Sequence, residues 1–352
     1  MTFVEELTWR DNLHQMTPDA TAHLAHAPKG GRTGYIGFDP TGPSLHVGSL
    51  ATVLKLSLFQ KHGHQPIFLV GGATGMIGDP SGKSKERNLL TEAAIRHNVD
   101  CIRGQLEQFF DFDTRLNPAR MVNNYDWFKE MGYLQFLRDV GKHLTVNYMV
   151  AKDSVKNRME TGISYTEFSY QLLQGYDFVE LRKRYACTLQ MGASDQWGNI
   201  TSGIELGRRM GVEDLHAITY PLVTRKDGTK FGKTAEGQNI WLDPTMTSPY
   251  QFYQFWINLD DEELPTMLKS YSSKSREEVL DLIEQSAAKP GARIGQNALS
   301  EEMTLRVHGE TELDNVKQAS RVLFGQSKPE DLKALPQRTL SDIKGDVPSA
   351  EF

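Results

Sequence analysis

Two runs of the chain hold the residue types that could handle a phosphoanhydride. The first, residues 34–50 (GYIGFDPTGPSLHVGSL), sets Asp39, Thr41 and His46 in and just after a dense turn cluster. The second, residues 224–237, contains Lys230, Phe231, Gly232, Lys233 and Thr234. Lys230 and Lys233 are two ammonium groups three residues apart on a glycine-containing loop. Such a loop can close over a triphosphate and neutralise charge developing on leaving pyrophosphate. Tyr170, Gln174 and Asp177 follow i, i+4, i+7 spacing, so one helical face presents all three. Each feature alone has a plainer reading: a capping histidine with a close-packed glycine, a solvated basic loop, a solvated helix face. Two familiar phosphate motifs are ruled out by spacing. A P-loop ending at Gly82-Lys83-Ser84 would need glycine where Ile77 stands, and the run Gly72–Gly75 lacks G-x-G-x-x-G.

The elements that must position these groups follow from periodicity and punctuation. Residues 34–38 read as a buried strand, 39–44 as a turn, and Leu50, Val53, Leu54 and Leu58 recur at helical spacing. In open α/β sheets, ligands dock at such a strand's carboxyl end, beside a helix N-terminus whose N–H groups favour phosphate. Further strands are predicted at 66–70, leading into a glycine-rich loop, at 121–124, ending at 189–192, and at 218–223. Helices are predicted over 3–28, 91–111, 165–182 and from Asp195 to about Met210. The expected fold class is α/β: a doubly wound, Rossmann-like parallel sheet domain over 1–223, with a mostly helical insertion at about 125–160. The lysine loop and its connection take 224–247, an α-helical domain 248–325, and a linker or tail with Pro329, Pro336 and Pro348 takes 326–352.

Composition narrows the classes. The chain has 352 residues, 39% hydrophobic and 24% charged, with a formal net charge of −6. A general nucleic-acid coat would be basic, so RNA binding would need a local basic patch. No run of about 18 apolar residues is present, so no membrane association is expected. The acidic, amphipathic N-terminus lacks the regions of a signal peptide. Cys101 and Cys187 are the two cysteines, which excludes a disulfide scaffold and suits a reducing, cytoplasmic location. His23 and His26 have helical spacing but no third ligand nearby in sequence, so no protein-bound metal is expected.

Taken together, the runs resemble class I aminoacyl-tRNA synthetases, with the HIGH motif as His46-Val47-Gly48-Ser49 and the KMSKS motif as Lys230-Phe231-Gly232-Lys233-Thr234. YIGFDPT, GGATGMIGDPSGK, YQLLQGYD, GASDQWGNI and DGTKFGKT are similar to bacterial tyrosyl-tRNA synthetases, in that family's order and spacing, over about residues 5–325. The resemblance implies a tyrosine–tRNA ligase. Tyrosine carboxylate attacks the ATP α-phosphorus, and tyrosyl then passes to the 3′ end of tRNA(Tyr). The nucleophile is already ionised, so catalysis is positioning plus charge stabilisation.

By this resemblance, Thr41, His46, Lys230, Lys233 and Thr234 are the catalytic set, and Gly37, Asp39, Gly48, Ser49, Gly192, Asp195 and Phe231 complete the ATP site. Lys83 and Arg87 are a second candidate cationic pair. Asp79, Tyr170 and Gln174 would hold the tyrosine ammonium, Tyr35 and Asp177 the phenol, and Asn123, Gln190 and Gln196 the rest of the pocket. ATP would enter with Mg2+ as a substrate complex, and no metal or prosthetic group is expected to be held by the protein itself. Lys142, Lys152, Lys156, Arg158 and residues 182–184 are candidates for the tRNA acceptor stem, and the aromatic-rich 125–170 region for a homodimer interface. Ser49 replaces the second histidine of HIGH. The family's small C-terminal RNA-binding domain is not in this chain, so a truncated chain is expected. A rival class, a synthetase-like protein that binds RNA or nucleotide without charging tRNA, is opposed by intact Tyr35, Asp177, Lys230 and Lys233.

Overall fold

Six strands form one sheet in the order β1-β6-β5-β2-β3-β4: β1 Gln15–Met16, β2 Thr33–Phe38, β3 Gln65–Val70, β4 Arg120–Asn123, β5 Cys187–Ala193 and β6 His216–Tyr220. Neighbours from β6 to β4 are parallel. The edge strand β1 runs antiparallel to β6, with Gln15 opposite Thr219. The expected Rossmann-like parallel sheet is thus present, with one short antiparallel edge strand added to it; a two-residue strand has no readable alternation. The computed structural model describes residues 1–81, 89–160, 162–226, 228–233, 237–324 and 335–344. The chain divides into two units, one of 1–44 and 52–222, the other of 45–51 and 223–352.

In the first unit the strand order reverses beside β2. β3 lies on one side and β5 on the other, and Tyr35 of β2 is opposite both Ile67 and Gln190. This is the switch point at which doubly wound sheets open a crevice. Pro66 to Val70 are buried on both faces, which explains an unbroken apolar run instead of an alternating one. Tyr35, Ile67, Leu69, Trp127 and Phe178 share one core cluster. Between β4 and the long helix Tyr165–Tyr185 the chain forms the short helices Tyr125–Phe128, Tyr133–Asp139, Val146–Val150 and Asp153–Met159.

The helix expected over 3–28 is broken into Phe3–Trp9, β1 and Ala20–Ala25. Thr2 and Glu5 cap the first piece reciprocally. Asp11 then adopts a left-handed conformation (φ 56°), and Pro18 excludes a helix interior just before the second piece. The apolar spacing persists through both breaks, so periodicity alone does not reveal them.

The second unit contains the helices Pro249–Ile257, Leu264–Tyr271, Arg276–Ala288, Ile294–His308, Glu310–Phe324 and Gln337–Lys344. The last lies inside the stretch expected to be a tail. Leu335 and Ile343 are buried with Tyr250, Tyr253, Leu313 and Val316, so this part packs as core. Among the described residues no helix is long and apolar enough to cross a membrane.

Two histidines make stability depend on acid. His64 stacks on Phe59 at 4.5 Å, and its Nδ1 accepts the Arg32 backbone N–H at 3.2 Å. Burial, aided by His62 and Arg32, lowers His64 to about 4. Burial also lowers His308, edge-on to Phe252 at 4.8 Å, to about 4. An unfolded histidine titrates at about 6.5, so between about 6.5 and 4 the unfolded chain binds the extra protons. Stability is therefore expected to fall as pH drops through that window. Urea midpoints at pH 7.0, 5.5 and 4.5 test it, and His64→Gln should flatten part of the slope.

Candidate active site

The helix Tyr165–Tyr185 begins where Ser164 accepts the Glu167 N–H, and it ends at Ala186 in a left-handed conformation (φ 52°). Its face toward the sheet buries Tyr170 and Asp177 and half-buries Gln174. At the switch point, the Tyr35 hydroxyl and Gln190 Oε1 are both buried, and neither has a hydrogen-bond partner among the described residues. Asp177 is nearby and contributes to raising the Tyr35 hydroxyl's pKa, though burial contributes more.

Asp177 is held from two sides. Trp127 Nε1 donates to its Oδ1 at 2.9 Å, and Asn124 Nδ2 donates to its Oδ2 at 3.1 Å. Burial pushes this carboxyl well above the usual range, against those two donors, which favour the anion. Asn124 also donates to Thr74 Oγ1 at 3.0 Å; Thr74 donates to Asp39 Oδ1 at 2.7 Å, and the Tyr170 hydroxyl donates to Asp39 Oδ2 at 2.8 Å. One network thus joins Asp177 to Tyr170. Asp39, read from sequence as an ATP group, is bonded into it. Glycine is required at 71, where a side chain would overlap Asp39 and Thr74, and at 72, where it would overlap Asn123.

A second network surrounds Asp79. Gln196 Nε2 donates to Asp79 Oδ2 at 2.8 Å, and Gln174 Nε2 donates to Gln196 Oε1 at 3.2 Å. Asn199 Nδ2 lies 3.2 Å from Asp79 Oδ1 and 3.0 Å from Gln174 Oε1. Asn123 Oδ1 accepts the Tyr125 N–H. Gly37 is exposed at the end of β2, as is Thr41 just beyond it. Gly192, next to last in β5, packs against Gln196 and Ile200, and Asp195 sits in the turn Ser194–Gln196 that leads into the helix Trp197–Arg209. Sequence reasoning missed Thr74, Asn124, Trp127 and Asn199. Thr74 and Asn199 lie inside runs singled out for other residues; Asn124 and Trp127 carry no signal in spacing.

In the second unit the histidine run and the lysine loop pack together. His46 precedes the helix Val47–Lys61 and caps it, its Nδ1 accepting the Ser49 N–H at 3.3 Å, which assigns the ring proton to Nε2. The Val47 N–H donates to Ile240 O, and the Leu242 N–H to Leu45 O. A Cβ on Gly48 would lie 2.9 Å from the His46 ring, and one on Gly232 (φ 97°) would lie 2.9 Å from Gly48 N. Both glycines are thus conditions for the approach of the two loops. Phe231 is buried against Phe255, Trp256 and Tyr271, so its ring anchors the loop. The Lys233 side chain is exposed while its carbonyl accepts from Arg225 Nη2 at 2.7 Å. Lys230 is likewise exposed. Thr234, Lys83 and Arg87 lie outside the described residues.

Among the basic residues offered for RNA, Lys142, Lys156, Lys183 and Arg184 are exposed. Arg158 is a correction. It is buried and forks onto Glu167 with two bonds of 2.8 Å, tying the helix Asp153–Met159 to the helix Tyr165–Tyr185. Arg158→Ala leaves the Glu167 charge buried, and should cost about 3–5 kcal/mol in urea unfolding. His23 and His26 part company. His26 bonds the Ala22 carbonyl, whereas His23 meets Asp214 at 3.2 Å and Thr188 at 2.7 Å and stacks on His216.

This architecture is matched by a family model. That of the tRNA synthetases class I (W and Y) covers residues 30–325, and the chain belongs to that family. Proteins named tyrosine–tRNA ligase from Cytophaga hutchinsonii and Amoebophilus asiaticus are each 53% identical over 350 residues, covering 99% of this chain and 81% of theirs. Within the family the chain thus groups with the bacterial tyrosyl-tRNA synthetases. The crystal structure of a C-terminally truncated mitochondrial tyrosyl-tRNA synthetase from Aspergillus nidulans superposes with a TM-score of 0.80 at 30% identity, covering 92% of this chain and 94% of that one.

Proposed function

We infer that this chain activates L-tyrosine with ATP to tyrosyl-adenylate and pyrophosphate, and transfers the tyrosyl group to tRNA(Tyr). The observation that carries the tyrosine reading is the pair of buried polar atoms at the switch point, Tyr35 Oη and Gln190 Oε1, beside the braced Asp177 carboxylate. A phenolic hydroxyl satisfies groups that burial otherwise makes costly. In this reading Tyr35 and Asp177 meet the phenol, and Gln190, Asn123 and Gln196 line the pocket. Asp79, Gln174 and Tyr170 take the α-ammonium. Tyr170 already donates its proton to Asp39, so its oxygen is left to accept.

Mg2+ enters with ATP as part of the substrate. Thr41, His46, Lys230, Lys233 and Thr234 are the groups proposed to stabilise the triphosphate as the α,β-bond breaks, with Gly37, Gly48, Ser49, Gly192, Asp195 and the Phe231 backbone along the nucleotide. The carboxylate attacks without a base, so the protein's contribution is alignment and charge. Tyrosine-dependent exchange of labelled pyrophosphate into ATP tests the assignment; absence of exchange sinks it.

The tRNA acceptor end is proposed to meet Lys142, Lys152, Lys156 and residues 182–184. A homodimer is proposed through the 125–170 region, where Tyr133, Leu134, Val146, Met159 and Tyr165 are exposed and the Tyr133 and Tyr165 hydroxyls meet at 3.5 Å. Light scattering of a Leu134→Asp variant would show monomers if this region is the interface. The cytoplasm is the compartment this reading carries, and two free thiols accord with it.

A further inference from the structure

We propose that Asn199 is a positioning residue for amino-acid recognition: its side-chain amide aims the oxygens of Asp79, Gln174 and Gln196 at the substrate's α-ammonium. The inference rests on the tyrosine-activating reading above. Asn199 has no exposed surface. Its orientation is set by Ser154 on the helix Asp153–Met159, whose hydroxyl donates to Asn199 Oδ1 at 3.3 Å. That bond turns Nδ2 toward four acceptors: Gln174 Oε1 and Ser81 Oγ at 3.0 Å, Asp79 Oδ1 at 3.2 Å and Gln196 Oε1 at 3.4 Å.

An amide nitrogen carries two hydrogens. Four acceptors around one such group are therefore more than it can satisfy. Gln196 Nε2 and Gln174 Nε2 each place one N–H inside the cluster, on Asp79 Oδ2 and Gln196 Oε1. The Ser81 backbone N–H supplies Asp79 Oδ1 at 2.9 Å. Among the described residues acceptor capacity remains on this cluster of side-chain oxygens, and a group with three N–H donors and a positive charge is its complement. Asn199 itself need not touch the substrate. Without its amide, Gln174 and Gln196 lose the donor their oxygens share, and Asp79 keeps only the Ser81 N–H and Gln196 Nε2 to hold it.

The test compares ligands with and without the ammonium. Asn199→Ala should weaken tyrosine and tyramine about 10- to 100-fold, as expected for one or two lost buried hydrogen bonds. It should leave the inhibition constant of 3-(4-hydroxyphenyl)propanoate, which keeps the phenol but lacks the ammonium, within about twofold. In pyrophosphate exchange the loss should fall on KM for tyrosine while KM for ATP and kcat hold. Ser154→Ala should reproduce the same ligand pattern more weakly, and it serves where Asn199→Ala does not fold. Equal weakening of the ammonium-free ligand, or no weakening of tyrosine, overturns the inference. A wild-type chain that binds tyrosine no better than the propanoate, yet exchanges pyrophosphate, also overturns it. A wild-type chain that fails to exchange at all overturns the function beneath it.

Discussion

Asp177→Ala is expected to lower kcat/KM for tyrosine by about 10²- to 10³-fold, the loss of a buried charge-assisted hydrogen bond worth about 3–4 kcal/mol. Phenylalanine has no hydroxyl to lose and should be activated as poorly as before, so discrimination between the two amino acids should collapse by the same factor. KM for ATP should barely change. A second effect is separable from the first. Trp127 Nε1 and Asn124 Nδ2 both end on this carboxylate, so its removal orphans two buried donors. Each costs about 1–3 kcal/mol, which should appear as a lower urea midpoint. Pyrophosphate-exchange kinetics with both amino acids, alongside unfolding curves, separate binding from stability. Equal damage to tyrosine and ATP would contradict the pocket.

Lys233→Ala should slow adenylate formation by about 10²- to 10³-fold in single-turnover experiments, the magnitude typical of removing one preorganised transition-state contact. Tyrosine affinity should change by less than about twofold. The separation is physical. The ammonium is needed as charge moves onto pyrophosphate, and the amino acid is gripped by other groups. The loop itself should survive, because backbone bonds hold it: the Lys233 carbonyl accepts from Arg225, Lys233 pairs with Asn239, and the Ile240 N–H donates to Gly232 O. The Phe231 ring remains anchored among Phe255, Trp256 and Tyr271. Unaltered single-turnover rates would refute the role given to Lys233.

The sequence by itself determined the strands and helices that carry the site and the identities of the groups they present. Strand-turn-helix at residues 34–50 was legible because glycine, proline and helical periodicity act over a few residues. Tyr170, Gln174 and Asp177 were assigned to one face for the same reason, and the family followed from motifs in order. What local pattern cannot contain is the partner of a buried polar group. Asp39 joins Tyr170 across 131 positions, Asp177 is braced by Asn124 from 53 positions away, and Asn199 reaches Asp79 across 120. Arg158 looked like a surface cation and is the buried partner of Glu167. The antiparallel edge strand and the helix Gln337–Lys344 were equally invisible, being short segments stabilised by what they pair with or pack on. Tertiary structure decided these points because a buried donor or acceptor must find a complement inside the fold, wherever along the chain that complement lies.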